Sequence, residues 1–332
     1  MEKHKISVIV PAYNTEATIE RCILSIMGGV YNNVEIIVIN DGSTDKTVHI
    51  VKSLMAKDSR VKLFSQANSG VGVARCRGIH ESTGDYIAFC DSDDWFEPNY
   101  LKEHMSHLEK YNAEISMCRT YISGSRDLDN NGEIIIKEKS TIVKDYLRYN
   151  GISVSLWDKV FLREVLDNEE IYNNYRYSED LYMNYVACKY ANRLVGFNTT
   201  KYNWYNNPVS LSRESFNPEK LKCDFNVWEK IITDCKHNYP DLEEIARLSS
   251  ELWICGTFRL MVVHHYHDKK QEKRIAKYVR QDGVKVLKVE KNARNKVFLC
   301  FAYVSFPLAR GIWYTMNSCK TVLKKIIKRK NN

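Results

Sequence analysis

The sequence predicts an α/β protein: a mostly parallel sheet flanked by helices, followed by a helical C-terminal region. Three observations carry this. Over about the first hundred residues, short apolar runs alternate with amphipathic stretches and brief turns, which is the signature of βαβ units. Polar residues collect where the strands are expected to end, at Asn14, Asp41, Asn68 and Asp91 to Asp94, and ligands bind beyond that end of such a sheet. Beyond about residue 216 the chain reads as helix, with heptad-like stripes and few turn signals.

The elements follow in order. Strands are expected at 6–10, 34–39, 61–64 and 86–90, each a short apolar or β-branched run. Helices are expected from 15 to about 27, from about 44 to 56, at 70–82 and from 98 to about 111. A further strand is read at 113–122, a polar turn at 124–132, a helix at 140–149 and another from near Glu179. The expected domains are 1–215, with halves at about 1–112 and 113–215, and 216–332.

A chain of 332 residues with 44% apolar content supports a large core. The ten cysteines are scattered singly, without a Cys-x-x-Cys pair. Neither a zinc ribbon nor a redox motif is indicated, and unpaired thiols fit a reducing cytosol. The run 6–10 is too short for a signal-peptide core. No stretch reaches the roughly 18 apolar residues of a membrane span; the nearest, 297–313, is interrupted by Pro307 and Arg310. A cytoplasmic location is expected.

The stretch 86–94 is the most informative: Tyr-Ile-Ala-Phe-Cys ends abruptly in Asp91-Ser92-Asp93-Asp94. Three carboxylates in four residues at the end of a buried strand are costly unless neutralised. A hard divalent cation shared with a phosphate does this, and magnesium or manganese suits oxygen ligands. The turn after the first strand, 10–16, lacks the glycines of a dinucleotide fingerprint or a P-loop. Pro11 instead stiffens the strand exit, and Tyr13 offers a flat face for a base. After the second strand, Asp41 can accept from a base N–H, while Ser43 and Asp45 read equally well as helix caps.

Together these segments resemble a family 2 glycosyltransferase of the GT-A fold, a Rossmann-like sheet, of the bacterial capsule, exopolysaccharide or teichoic acid type. The similarity runs from about Lys5 to Arg213, through VPAYNTE at 10–16, INDGSTD at 39–45, NSGVGVARCRGI at 68–79 and GDYIAFCDSDDW at 84–95. It continues through WDKVFLRE at 157–164, YSEDLYMNY at 177–185 and YNWYNNPVSLSR at 202–213. The resemblance implies that Pro11, Tyr13 and Glu16 hold the nucleoside, that Asp41 reads the uracil edge, and that Asn68 and Arg75 lie near base and diphosphate. It implies ribose and phosphate contacts for Asp91 and Ser92, a metal ligand in Asp93 and a general base in Asp180. Trp157, Lys159, Glu179 and Arg213 are carried over as acceptor-side or donor-sugar residues. Two positions depart from the family pattern: Cys76 replaces an Asn after the arginine, and Asn206 stands where an arginine is common.

The implied chemistry suits these residue types. Displacing a nucleoside diphosphate from a sugar builds charge on the leaving phosphate, which a Mn2+ or Mg2+ ion stabilises as a Lewis acid. The acceptor hydroxyl loses its proton to one carboxylate, and direct attack from the opposite face inverts the anomeric centre. The implied partners are a UDP-sugar donor and a polysaccharide, teichoic acid or lipid-linked saccharide acceptor. A non-catalytic sugar-nucleotide-binding or scaffolding protein of the same fold is the alternative. A nucleotidyltransferase would carry a Gly- and Arg-rich loop at 10–16, which is missing.

The formal charge of +8 is concentrated beyond residue 268, as in Lys269-Lys270 and Lys328-Arg329-Lys330. An apolar 297–313 followed by a basic 320–330 fits a helix lying on the anionic inner face of a membrane. It fits equally a helical subdomain packed on protein or on a second copy, with a solvated tail. Nucleic-acid binding is not indicated, since no motif accompanies the charge. His264, His265 and His267 are read as solvated or core histidines rather than as a metal set.

Overall fold

A computed structural model describes residues 2–122, 133–172, 175–205, 217–264 and 266–289, with single positions at Lys296, Cys300, Phe301, Leu308, Gly311 and Ile312. The polar turn at 124–132, Asn206, Arg213, His265 and the basic segment 320–330 lie outside the described residues. The chain divides into two compact units, Met1–Ser210 and Leu211–Asn332.

In the first unit, β1 (Ile6–Ala12), β2 (Val34–Asp41), β3 (Val61–Gln66) and β4 (Tyr86–Phe89) pair in parallel in the order β3-β2-β1-β4. The helices α1 (Ile19–Met27), α2 (Thr47–Met55) and α3 (Val71–Glu81) connect them. Every residue of β1 and β2 is buried, which is why these strands read as continuous apolar runs: both faces are covered. Strand β1 lies between β2 and β4, so the strand order reverses there, and this switch point opens at the carboxyl ends that carry the polar residues. Helix α1 begins at Ile19 rather than near Thr15, because Thr18 and Ile19 first donate their N–H groups to the Thr15 carbonyl in a turn.

The rest of the unit comprises β5 (Trp95–Phe96), α4 (Tyr100–Tyr111), β6 (Ile115–Ile122), β7 (Ile135–Glu138), α5 (Lys139–Leu147), β8 (Lys159–Leu162), α6 (Arg163–Leu166), α7 (Glu179–Tyr190) and β9 (Arg193–Trp204). Here the sheet is mixed. Strand β8 runs antiparallel between β4 and β6, β6 and β9 are parallel, and β5 and β7 pair antiparallel with β9. Strands β7 and β8 were not expected, and both are four residues long. Charged flanks at Lys159 and Arg163 hide β8 from a periodicity reading, although Val160 and Phe161 are fully buried.

At the amino ends of the strands, Glu35 is a buried tie. Its carboxylate accepts from Lys5 Nζ at 2.9 Å, Lys62 Nζ at 2.7 Å, Ser7 Oγ at 2.6 Å and the Thr83 N–H at 2.6 Å. Residues of β1, β2, β3 and the approach to β4 thus share one charge-assisted network.

The second unit contains α8 (Pro218–Asn238), α9 (Glu243–Val263) and α10 (Lys269–Val289). Asn217 caps α8 by accepting from the Glu219 N–H at 2.9 Å, with Pro218 in the first turn, where its missing donor is harmless. Between α8 and α9 the Thr257 hydroxyl donates to buried Asp224 at 2.8 Å. Arg274 of α10 lies over the Phe225 ring at 4.0 Å. Among the described residues no helix is long and apolar enough to cross a membrane, and the eight cysteines whose side chains are described are free thiols.

Candidate active site

The site is built at the carboxyl ends of β1, β2 and β4. The loops after β1 and β2 are laced together by side chains. The Asn14 N–H donates to Ser43 Oγ at 3.0 Å, and Asn14 Oδ1 accepts from the Thr44 N–H at 2.8 Å. The Glu16 N–H donates to Asp45 at 3.0 Å, and the Glu16 carboxylate accepts from the Lys46 N–H at 2.9 Å. Asp45 also accepts from the Thr47 N–H at 3.0 Å. Asp45 therefore satisfies the first N–H of α2 and ties the neighbouring loop at once. Pro11 is buried in β1, whereas Tyr13 is 48% exposed beside this seam with its ring available for stacking.

Asp41 is buried at the end of β2. It accepts from Gln66 Nε2, the Ser69 N–H and the Gly70 N–H, each at 2.8 Å. Three donors nearly fill a carboxylate. Asp41 thus holds the 66–70 loop, in which Asn68 is exposed.

The centre of the site is Arg75. It lies in α3, which packs tightly enough on β1 that a Cβ at Gly78 would come within 2.3 Å of Ile9 Cγ2. The Arg75 guanidinium is buried and meets three carboxylates: Asp91 at 2.8 Å, Glu179 at 2.6 Å and Asp180 at 2.5 Å. Asp91 comes from the end of β4, and Glu179 and Asp180 from the first turn of α7, where the helix dipole favours anions. Ser178, at φ 61°, turns the chain into that helix. A Cβ at Gly72 would lie 2.3 Å from the Tyr175 carbonyl and 2.9 Å from Glu179 Cβ, so only glycine admits this approach of α3 to 175–179. Cys76, where the family pattern has an amide, donates its thiol to the Ile171 carbonyl at 3.4 Å.

One cation against Asp91, Glu179 and Asp180 leaves two negative charges uncompensated. Burial and the neighbouring Asp180 push the Glu179 carboxyl well above the usual carboxylate range, with Arg75 opposing. Burial, then the Asp180 and Asp93 charges, likewise push Asp91 up against the pull of Arg75. A divalent cation suits such an excess of negative charge. Among the described residues no group of three or more His, Cys, Asp and Glu side chains forms a metal cage by itself. The partly exposed Asp93 beside Asp91 fits instead the arrangement in which one or two carboxylates and substrate phosphates share the ion.

The turn 91–94 is closed by the Asp94 N–H donating to the Asp91 carbonyl at 2.9 Å, and Ser92 is buried within it. Sequence reasoning missed the residues that hold this turn. Asp94 is fully buried, accepting from Tyr202 Oη and the Tyr205 N–H, each at 2.7 Å. Burial, with Asp91 and Asp93 nearby, pushes its carboxyl up to about 8. Arg21 donates to the Asp93 carbonyl at 2.6 Å. The density of Asp residues marked the turn, but nothing in sequence spacing joins it to Arg21 or Tyr202.

Of the remaining expected site residues, Trp157 stacks on Tyr202 with centroids 4.6 Å apart, and its carbonyl accepts from Tyr100 Oη at 2.7 Å. Lys159 is fully buried. Its ammonium donates to Asp158 Oδ1 at 2.8 Å, Ser153 Oγ at 2.7 Å and the carbonyls of Ser153 and Ser155 at 3.0 and 2.6 Å. Lys159 thus shapes the 153–158 loop from beneath and has no donor left for a ligand.

Residues 7–168 match the model of Glycosyl transferase family 2. The chain is 30% identical over 220 residues to glycosyltransferase GlyA of Streptococcus pneumoniae serotype 4, covering 63% of this chain and 32% of that protein. The chain thus spans about a third of that relative. It is similar in fold to S. aureus TarS 1–349 in complex with UDP-GlcNAc, with a TM-score of 0.69 and 17% identity, covering 95% of this chain and 92% of that one. The mannosyltransferase PcManGT of Pyrobaculum calidifontis, in complex with GDP-Man and Mn2+, gives a TM-score of 0.59 at 14% identity, covering 96% and 85%.

Proposed function

Residues 7–168 match the model of Glycosyl transferase family 2, and on that premise we propose that the chain is an inverting, divalent-cation-dependent transferase. It moves a hexose or N-acetylhexosamine from a UDP-sugar to a hydroxyl of a cell-surface polysaccharide, teichoic acid or lipid-linked oligosaccharide precursor. The observation that carries this reading is the convergence of Asp91, Glu179 and Asp180 on Arg75, next to Asp93. The solved neighbour holding UDP-GlcNAc supports the donor class, and the one holding Mn2+ supports the cation.

In this reading Tyr13 stacks on the base, Asp41 and Asn68 line its edge, and Pro11 and Glu16 keep the Tyr13 loop in place. Asp93 holds the cation together with the donor's diphosphate, and Asp91 and Ser92 meet ribose and phosphate. When bound, the ion supplies charge neutralisation for the departing nucleoside diphosphate. Asp180 takes the acceptor's hydroxyl proton as the oxygen attacks the anomeric carbon and the bond from that carbon to the diphosphate oxygen breaks. Arg75 fixes the direction of the Asp180 carboxylate. Glu179 shares that guanidinium, and Trp157 lines the acceptor side.

The test measures UDP release and thermal stabilisation across a panel of UDP-sugars with MnCl2. The wild-type protein is expected to be stabilised by one donor and to release UDP only with Mn2+. Asp180→Asn should keep that stabilisation while turnover falls about 10²- to 10⁴-fold. An unchanged Asp180→Asn rate would remove Asp180 from the role of base. Absence of stabilisation by every UDP-sugar would refute the donor class.

A further inference from the structure

The roles above leave unexplained a set of contacts that all end on the main chain of one turn, residues 91–94. Tyr202 is fully buried in β9. Its hydroxyl accepts from the Asp91 N–H at 3.0 Å and donates to Asp94 Oδ2 at 2.7 Å. The other Asp94 oxygen accepts from the Tyr205 N–H at 2.7 Å. The Tyr202 hydroxyl donates its single proton to Asp94, and an oxygen lone pair is thereby presented to the Asp91 N–H. The strand that leaves the turn, β5, pairs with the same segment, Trp95 opposite Asn203 and Phe96 opposite Tyr202.

A second hold on the turn comes from Arg21 of α1. Its guanidinium donates to the Asp93 carbonyl at 2.6 Å and lies over the rings of Trp95 at 4.0 Å and Tyr205 at 4.9 Å. The turn that bears the candidate metal ligand is therefore gripped through its amide and carbonyl groups by two side chains, 181 positions apart in sequence (202 less 21). The Tyr202 ring also stacks on Trp157 at 4.6 Å, so one side chain touches both the turn and the residue proposed to line the acceptor side.

We propose that Tyr202 and Arg21 are positioning residues that set the main-chain position of 91–94, and with it the affinity of Asp93 for a divalent cation bound with a nucleoside diphosphate. The inference rests on the reading of Asp93 given above. The physical reason is the narrow tolerance of a cation site: outer contacts that orient a ligand govern affinity nearly as much as the ligand does. Removing the hydroxyl leaves a buried amide and a carboxylate oxygen without their partner. The turn must then shift to satisfy them, while the ring packing stays intact.

The test uses the full chain and Mn2+ itself, with free Mn2+ read by electron paramagnetic resonance in the presence of excess UDP. Tyr202→Phe is expected to raise the Mn2+ dissociation constant about tenfold, with UDP binding in EDTA unchanged. Arg21→Lys keeps the charge but loses the planar stack. It should weaken Mn2+ in the same direction without disturbing the core, and it decides the matter if Tyr202→Phe does not fold. Wild-type Mn2+ affinity in Arg21→Lys, or in a folded Tyr202→Phe with only a lower melting temperature, overturns the proposal and leaves the functional reading intact. A wild-type protein that binds no Mn2+ with UDP overturns both.

Discussion

The Arg75 guanidinium lies 2.5 Å from the Asp180 carboxylate, although 105 residues separate them in the chain. The same guanidinium reaches Asp91 at 2.8 Å, so the strand end that carries the acidic turn and the helix start that carries the candidate base are referenced to one side chain. A planar fork with five donors can serve three carboxylates at once, which an ammonium cannot do with the same geometry.

Substitution of Arg75 should therefore act on stability as well as activity. Arg75→Ala leaves Glu179 and Asp91 without their counter-charge in a largely buried setting, and a loss of about 3–5 kcal/mol is expected. Arg75→Lys should recover part of the stability but little of the turnover. Urea denaturation and UDP-release assays on both variants check this; an Arg75→Ala protein as stable as wild type would show that the cluster is dispensable to the fold.

Gly72 separates the two effects. Its replacement by Ala places a methyl group 2.3 Å from the Tyr175 carbonyl and 2.9 Å from Glu179 Cβ. Overpacking of this kind typically costs about 1–3 kcal/mol, and the segment displaced is the one that aims Asp180. Gly72→Ala should thus lose turnover out of proportion to its fall in melting temperature. Gly78→Ala, which presses on Ile9 away from the carboxylates, should lose stability with no such excess. Equal ratios of activity to stability loss in the two variants would disprove the aiming role of this approach.

Glu35 governs part of the acid sensitivity. Burial alone would raise its carboxyl, but hydrogen bonds from Lys62, Ser7, Lys5 and Thr83 prevail and hold it well below the usual carboxylate range. A group whose proton affinity is lowered by folding contributes stability that is complete above its unfolded pKa, about 4.3. That contribution disappears as pH falls towards the folded value. Glu35→Gln should hence be clearly less stable than wild type at pH 7, with the difference shrinking below about pH 4. Unfolding midpoints at the two pH values test this, and a gap that widens in acid would reverse the sign assigned to Glu35.

Much of the donor half was legible beforehand because its signals are local. The strands β1 and β2 read as apolar runs because both of their faces are covered. The acidic turn stood out because three carboxylates cannot follow a buried strand without a reason. The capping reading of Ser43 and Asp45 and the base-reading role of Asp41 could not be separated in advance. Each of these side chains turned out to bond a loop distant in sequence, and Asp45 bonds Thr47 beside it as well. Strand β8 escaped notice for the converse reason: its burial is decided by β4 and β6 on either side, not by its own four residues.

Residue order was thus enough to specify where the strands end and which carboxylates gather there, since hydrophobic period and charge density act over a few neighbouring positions. Pairing Arg75 with Asp180 and closing Tyr202 over Asp94 needed the folded chain. Those contacts join segments far apart in sequence. Their partners are set by the packing of α3, α7 and β9 on the sheet, and no linear spacing encodes that packing.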